Sequence, residues 1–464
     1  MRQSALPASN LLQPRLPQVV EQLLKRLGIA ARVVHETPDS SQPRVQAALL
    51  EDAVGTLLVL FPHDQLLDLN RLKAVTGRTL AAAGAARLQQ LIGPQRLSAL
   101  PGLPALTGVP CLYDERLLHG QTLLLDSGRP HVLLEIDTET YRGLLDQASA
   151  ARFGIPLRRL RLNLKRPPDD PMEAVQGFTA RRIRQRLERR VEIPPLQKTA
   201  QKILELREHA HLCADDITDL VETDPALAAQ VVSWAGLAFG AEDPAPQRIL
   251  SVEDAIVRVL GFDLVLNLSL GLSRDKPAES PELQEIMTPY WEQAIYTATL
   301  MEGLCRAIPR PQRPEPGLAY LAGLLHNFGY LILAHIFPPH FRLLSQHLQV
   351  NPHVPHGLVE HHLLGITREQ IGAWLMEHWK MPEELAVALL HQDAPQYRDR
   401  HAVYANLIYL AANLLRNRGI GSGPQEAIPQ ALLERLELSR AKAEEALDRV
   451  LAAETALRML LAQP

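Results

Sequence analysis

Residues 318–337 read LAYLAGLLHNFGYLILAHIF, and the reading of this stretch decides the fold of the C-terminal half of the chain. Leu321, Leu324, Leu325, Phe328, Leu331 and Ile332 recur at helical spacing and make a broad apolar face. The spacing predicts a core helix. His326 and Asn327 fall in the middle of that face. Burying an imidazole or a carboxamide without partners costs about 1–3 kcal/mol each. The pair is therefore either satisfied by internal hydrogen bonds or kept as part of a site. The stretch is long enough to span a bilayer, but His326, Asn327 and His335 within it fit a buried helix of a soluble protein better.

The run LLHNFGYL at 324–331 resembles the LLHDxGK stretch of the HD superfamily of metal-dependent phosphohydrolases. It is closer still to the HDOD domain, a non-enzymatic branch of that superfamily found in bacterial signalling proteins. Further segments match in order. IPPLQKTAQKILEL opens at Ile193, and CADDITDLVETDPALAAQVVSWAG follows, with Asp224 placed to cap a helix and Pro225 suited to its first turn. Ser251-Val252-Glu253-Asp254 reads as a capping box before AIVRVLG. YWEQAIYTATL and ITREQIGAWLMEHWKMPEELAVALLHQ lie on either side of the central stretch.

The resemblance implies where metal ligands would stand. An HD phosphohydrolase uses histidines and at least one aspartate to hold divalent cations that activate a water. Here the first histidine position is Gln293, and His326 is kept but followed by Asn327 instead of aspartate. Gly329-Tyr330 stands for Gly-Lys, the next ligand position is Arg368, and His391 is followed by Gln392. An uncharged carboxamide neutralises a dication poorly and a guanidinium repels it. The resemblance therefore implies no metal, no cofactor and no catalytic residue in this domain. It leaves Gln293, His326, Asn327, Arg368 and His391 as a ligand pocket, with Arg368 as a possible contact for an anion. His353, His356, His361 and His362 form a second group, read as exposed loop histidines.

The N-terminal part interleaves strands and helices. Strand-like runs at Ala30–His35, Thr56–Phe61, Thr122–Asp126 and His131–Ile136 alternate with helical patterns at Val19–Leu27, Asp68–Val75, Leu80–Leu91 and Glu139–Gln147. Ser127-Gly128-Arg129-Pro130 is a hairpin signal. The runs TLLVLFPHDQLLDLNRL, TGRTLAAAGAARLQQLIG and LPGLPALTGVPCLYD resemble the YbaK and prolyl-tRNA-synthetase-associated domain, whose members hydrolyse mischarged aminoacyl-tRNA. Arg44, Gly102, Gly108 and Asp114 are then the pocket candidates. The lysine usual in that family is missing; its place falls near Val45-Gln46-Ala47-Ala48.

The rest of the chain sets bounds. It has 464 residues, 46% hydrophobic and 22% charged, enough for two or three cores. The net charge of −4 points to no particular partner. Cys111, Cys213 and Cys305 lie far apart, which argues against a disulfide framework or a zinc site and fits a reducing cytoplasm. Residues Leu157 to Arg190 hold eleven Lys or Arg against four Asp or Glu, a run usually solvated but able to contact RNA, an acidic partner or anionic lipid.

The expected protein is multidomain: an N-terminal α+β editing-like domain followed by an all-α HDOD bundle. The expected boundaries are a disordered 1–18, the deacylase-like domain at 19–150, a basic linker at 151–192, the HDOD domain at 193–395 and a helical extension at 396–464. The expected function is non-enzymatic signalling or regulation in a bacterial cytoplasm. The expected partners are a protein or small-molecule ligand, with tRNA possible through the N-terminal domain and linker. The alternative is an aminoacyl-tRNA deacylase working through the N-terminal domain, in preference to a metal phosphohydrolase.

Overall fold

The computed structural model describes residues 15–35, 42–160, 214–238, 249–261 and 281–453, with isolated positions at 182–205 and 264–269. The chain divides into two compact units, Met1–Arg161 with Gln346–His353, and Leu162–Ser345 with Val354–Pro464.

In the first unit, the apolar run predicted at Thr56–Phe61 is strand β3 (Gly55–Pro62), paired antiparallel with β2 (Val45–Asp52). Asp52 accepts from Val54 N and Gly55 N and so closes the hairpin between them. Strand β6 (Cys111–Asp114) runs parallel to β3, and β9 (Ser149–Ala151) runs parallel to β6. Alternate residues of β3 enter different cores: Leu58 and Leu60 pack with Val20, Leu125 and Tyr141, whereas Leu57, Val59 and Phe61 pack with Leu50, Leu67 and Phe153. A sheet buried on both faces explains why β3 reads as one continuous apolar run. Helix α1 (Gln18–Leu27) covers one face, and α2 (Leu69–Thr76) starts from Asp68, which accepts from Asn70 N and Arg71 N; α3 (Ala85–Ile92), α4 (Pro104–Thr107) and α5 (Thr138–Leu144) follow. Strand β1 (Arg32–His35) joins β7 (Thr122–Arg129) and β8 (Val132–Asp137) in a second sheet, order β1-β8-β7. A short pair, β4 (Gln65–Leu67) and β10 (Gly154–Pro156), completes the unit's strands apart from β5 (Ala81–Ala82). Asn351 behaves like a further rung beside β4, accepting from Leu67 N at 2.7 Å and donating to Leu67 O at 2.9 Å.

Four expectations change here. Strand β2 was missed, although it carries the region of the absent lysine. The helix expected over Leu80–Leu91 starts only at Ala85, because Ala81 and Ala82 pair with Glu51 and Leu50 of β2. The hairpin turn falls at Pro130-His131, not at Ser127–Pro130, since β7 runs through an irregular register to Arg129 and His131 takes φ 59°. The linker does not begin at 151: β9 and β10 continue the domain to residue 156, and the rest of the linker and residues 1–14 lie largely outside the described residues.

The second unit is helical. Its described elements are α6 (Ala214–Glu222), α7 (Pro225–Ala238), a π-helical turn Asp254–Leu260, α8 (Pro281–Ala307), α9 (Pro316–Leu325), α10 (Phe328–Ile336), α11 (Pro338–Val350), α12 (His356–Leu364), α13 (Arg368–His378), α14 (Glu383–Leu390), α15 (Ala402–Arg416), α16 (Gln430–Arg435) and α17 (Arg440–Ala452). Asp224 accepts from Ala226 N and Leu227 N, as its capping position predicts. Asp254 N donates to Ser251 Oγ, while Asp254 Oδ2 accepts from Leu250 N, one residue before the cap of an ideal box. The long helix α8 packs against α9, α15 and α17, so the C-terminal helices belong to the same core as the central stretch.

The central stretch is two helices rather than one. The chain breaks at His326-Asn327, where Asn327 leaves helical geometry at φ −100°, ψ 15°. Segment Pro316–Ile336 is long and apolar enough to cross a membrane by composition, but 89% of its best window is buried inside the protein. Gly329, just after the break, explains why α10 needs its own direction: a Cβ there would lie 2.7 Å from Arg368 Cα, so only glycine lets α10 meet the start of α13.

Candidate functional site

Arg368 opens α13 after the capping box formed by Thr367 and Gln370, and it is 6% exposed. Its backbone N donates to Glu360 Oε2 at 2.8 Å, and its Nη1 donates to Glu360 Oε1 at 2.9 Å. Its Nη2 donates to Asp393 Oδ2 at 2.8 Å, and Glu369 lies 2.9 Å from Nη1. Three carboxyl groups thus surround one guanidinium. Burial alone would weaken its charge, but Glu369, Asp393 and Glu360 outweigh burial and hold its pKa well above the usual value. Burial pushes the Glu369 carboxyl up, against the opposing pull of Arg368. Both Nη groups of Arg368 are thus engaged by carboxylates of its own chain, which offset the charge that the sequence offered to an anion, and its Nε is buried without a partner.

The acidic partners come from α12 and the loop after α14. Glu360 is fully buried in the middle of α12 and also accepts from the Tyr330 hydroxyl of α10. With its hydroxyl hydrogen given to Glu360, the Tyr330 oxygen can only accept, and His356 Nδ1 lies 3.1 Å from it. His356 therefore carries its proton on Nδ1. Burial, followed by the charge of Arg368, lowers the His356 pKa to about 3, so the ring is neutral and its buried Nε2 is a bare acceptor without a partner. His353 is half-buried, its Nε2 facing Gln65 O at 2.9 Å in the first unit. The reading of His353, His356, His361 and His362 as exposed loop residues is corrected: all four are half-buried, and the last three lie in α12.

His326 repeats this arrangement from the other side. Its Nδ1 donates to Gly323 O at 2.6 Å, and burial lowers its pKa to about 4. Its Nε2 is also a bare, buried acceptor. The chain break leaves the His326 carbonyl outside the helical ladder, and Gln392 Nε2 satisfies it at 3.0 Å. Asn327 Nδ2 donates to Gln293 Oε1 of α8 at 3.2 Å, so the first and third degenerate positions bind each other.

These groups line a cavity of about 400 Å³ that includes Gln293, His326, Asn327, His356, Arg368 and Arg416. Its remaining walls come from the C-terminal extension, which sequence reasoning treated as bundle completion. Tyr409 of α15 donates to Glu426 at 2.7 Å, and Arg416 Nη1 donates to Pro424 O at 3.0 Å. Between these anchors the backbone passes close over the cavity. Gly421 has φ 92°, and a Cβ on it would stand 2.6 Å from Gln293 Nε2. His391 is not brought in; it stacks on Tyr397 at a centroid distance of 3.8 Å, and its neighbours Leu390 and Gln392 line the cavity instead. Glu360, which sequence reasoning missed, had one legible signal: a glutamate directly after the apolar pair Leu358-Val359 in HGLVEHHLL, eight positions before an arginine.

The N-terminal candidates each have contacts of their own. Gly102 lies beside Val45 and Leu125 and its carbonyl accepts from Tyr141 Oη at 2.6 Å. Gly108 ends helix α4 (Pro104–Thr107) at φ 63° with open space beside it. Asp114 is fully buried and accepts from Phe153 N, Gly154 N and the Arg116 side chain, a structural clamp. Arg44 faces Asp126 at 3.9 Å.

The comparisons agree with this layout. An HDOD domain matches residues 193–395, and an aminoacyl-tRNA editing domain matches residues 29–144. A crystal structure from Marinobacter aquaeolei VT8, of a candidate signal transduction protein, shares 36% identity over 96% of this chain and 99% of its own, with a TM-score of 0.69. An uncharacterized protein of Treponema pallidum (strain Nichols) is 25% identical over 246 residues, 52% of this chain; the match spans 45% of that protein's length. With an editing domain ahead of an HDOD domain, and this identity along its whole length, the chain belongs to the family of the Marinobacter aquaeolei protein.

Proposed function

We propose that this protein is a non-enzymatic signalling module of the bacterial cytoplasm, in which the HDOD cavity binds a small ligand and the editing-like domain adds a binding function of its own. One observation carries the reading: the Arg368 guanidinium, held by Glu360, Asp393 and Glu369, occupies a degenerate ligand position. The donors present do not fit a divalent cation. The two bare imidazole nitrogens share the cavity wall with the carboxamides of Gln293 and Asn327, and the carboxylates Glu360 and Asp393 are engaged by Arg368. Among the described residues, no group of three His, Cys, Asp or Glu side chains is arranged to hold a metal.

Elemental analysis of protein purified without chelator, together with a cyclic-dinucleotide hydrolysis assay, tests this. The expected result is substoichiometric Mn, Fe, Ni and Zn and no hydrolysis. A stoichiometric metal with turnover abolished by His326→Ala would overturn it.

A further inference from the structure

We propose that the HDOD cavity takes an uncharged, flat ligand with an N–H donor edge, and that a purine nucleoside has the matching size and chemistry. The proposal rests on the ligand-binding reading above and narrows it to one class.

The polar atoms on the wall set the class. His326 and His356 both commit Nδ1–H inward, to Gly323 O and Tyr330, and both leave Nε2 buried without a partner. Two buried acceptor atoms without a partner cost free energy until a donor meets them. Asn327 gives its N–H to Gln293, which leaves the Asn327 Oδ1 acceptor and the Gln293 Nε2 donor on the same wall. A ligand edge with N–H donors and one acceptor is complementary to this set. Purines carry such edges, with exocyclic amino donors beside ring or carbonyl acceptors.

The alternatives fit less well. An anion would meet two lone pairs, while the Arg368 Nη groups are engaged by Glu360 and Asp393 and Arg416 gives its Nη1 to Pro424 O. A cation would find the nearby carboxylates Glu360 and Asp393 already engaged by Arg368, with the Arg416 guanidinium on the same wall. The rest of the wall suits a flat ring. Tyr290 and Tyr330 stand at a centroid distance of 4.8 Å, and Tyr409 lines the C-terminal side. The cavity, about 400 Å³, falls in the range of small-molecule sites. A base read by hydrogen bonds on one edge and by aromatic contact on its faces is a common solution to this recognition problem.

The test is calorimetric titration of the full-length protein with guanosine and adenosine, and separately with inorganic phosphate and Mn²⁺. At least one nucleoside should bind with a Kd between about 10 μM and 1 mM. His326→Asn and His356→Asn keep a side-chain donor near the Nδ1 place but remove Nε2, and each should weaken binding at least roughly tenfold. His356→Gln returns an acceptor oxygen near the Nε2 place and should restore part of the loss. In ¹⁵N spectra of histidine-labelled protein, the unprotonated Nε2 resonances of these two rings should shift on adding nucleoside. Tryptophan fluorescence checks the fold of each variant, because Trp234, Trp291, Trp374 and Trp379 all lie in the helical unit. Absence of nucleoside binding at about 5 mM, or binding indifferent to both histidine variants, overturns the proposal. Phosphate binding that His326→Asn abolishes would overturn the uncharged class yet leave the ligand-binding function standing. Stoichiometric Mn²⁺ at that site would overturn both.

Discussion

At the scale of single residues, the unit is organised around buried groups whose charge state is decided by partners. His326 illustrates the consequence. Its pKa falls from 6.5 to about 4 on folding, first through burial, with Arg368 adding to it against the Gly323 bond. The unfolded chain therefore takes up the proton first as the pH drops. The stability this neutral ring contributes is complete above pH 6.5 and is lost as the pH falls toward 4. His326→Asn removes this dependence. Between about pH 7.5 and about pH 5 the wild-type helical unit should lose about 2 kcal/mol more than the variant. Urea unfolding followed by tryptophan fluorescence measures it, and equal losses in both proteins would show that His326 is not buried neutral. Sequence showed that His326 and Asn327 were unusual, because polar residues inside an apolar face stand out. It did not show that Arg368 is neutralised, because Glu360 and Asp393 reach it from other segments, and no local spacing records that meeting.

At the scale of elements, the break between α9 and α10 does what one continuous helix could not. It turns the His326 ring toward the cavity, leaves a carbonyl for Gln392, and lets α10 cross the start of α13 at Gly329. Helical periodicity continues unchanged across His326-Asn327, so the pattern alone reads as one helix. The tight approach makes a sharp expectation. Gly329→Ala places a methyl against the Arg368 backbone, and the helices must separate. The helical unit should lose about 3 kcal/mol, measured as a shift of the urea midpoint in tryptophan fluorescence. A change below about 0.5 kcal/mol would mean that α10 and α13 are not packed this closely. Gly421 is a different case. It sits over the cavity with a positive φ, so Gly421→Ala acts on the loop between Arg416 and Glu426 and leaves the α10–α13 contact alone.

At the scale of the whole molecule, the order of an editing-like domain and an HDOD domain was legible because both announce themselves in ordered local segments. The editing chemistry was less legible, because it depends on which face of β2 a side chain takes. Strand alternation resolves this. Val45 and Ala47 pack in the core that contains Leu103 and Leu125, beside Gly102. Ala48 and Leu50 pack in the opposite core, and Gln46, on that same face, meets His63 at 3.2 Å. Arg44 shares the parity of Gln46; it faces Asp126, and its charge helps to lower the pKa of His353. By that parity it lies on the face opposite Gly102. Ester cleavage on an aminoacyl-tRNA needs a group that stabilises the developing oxyanion, and none of Val45, Gln46, Ala47 and Ala48 carries a charge. The full-length protein should deacylate mischarged alanyl-, cysteinyl- and seryl-tRNA no faster than the uncatalysed reaction, and Arg44→Ala should change nothing. Ala47→Lys places an ammonium on the Gly102 side and should raise the rate at least about tenfold, whereas Gln46→Lys points the same charge toward His63 and should not. Wild-type turnover well above background that disappears with Arg44→Ala would refute the assignment of faces and make the N-terminal domain an editing enzyme.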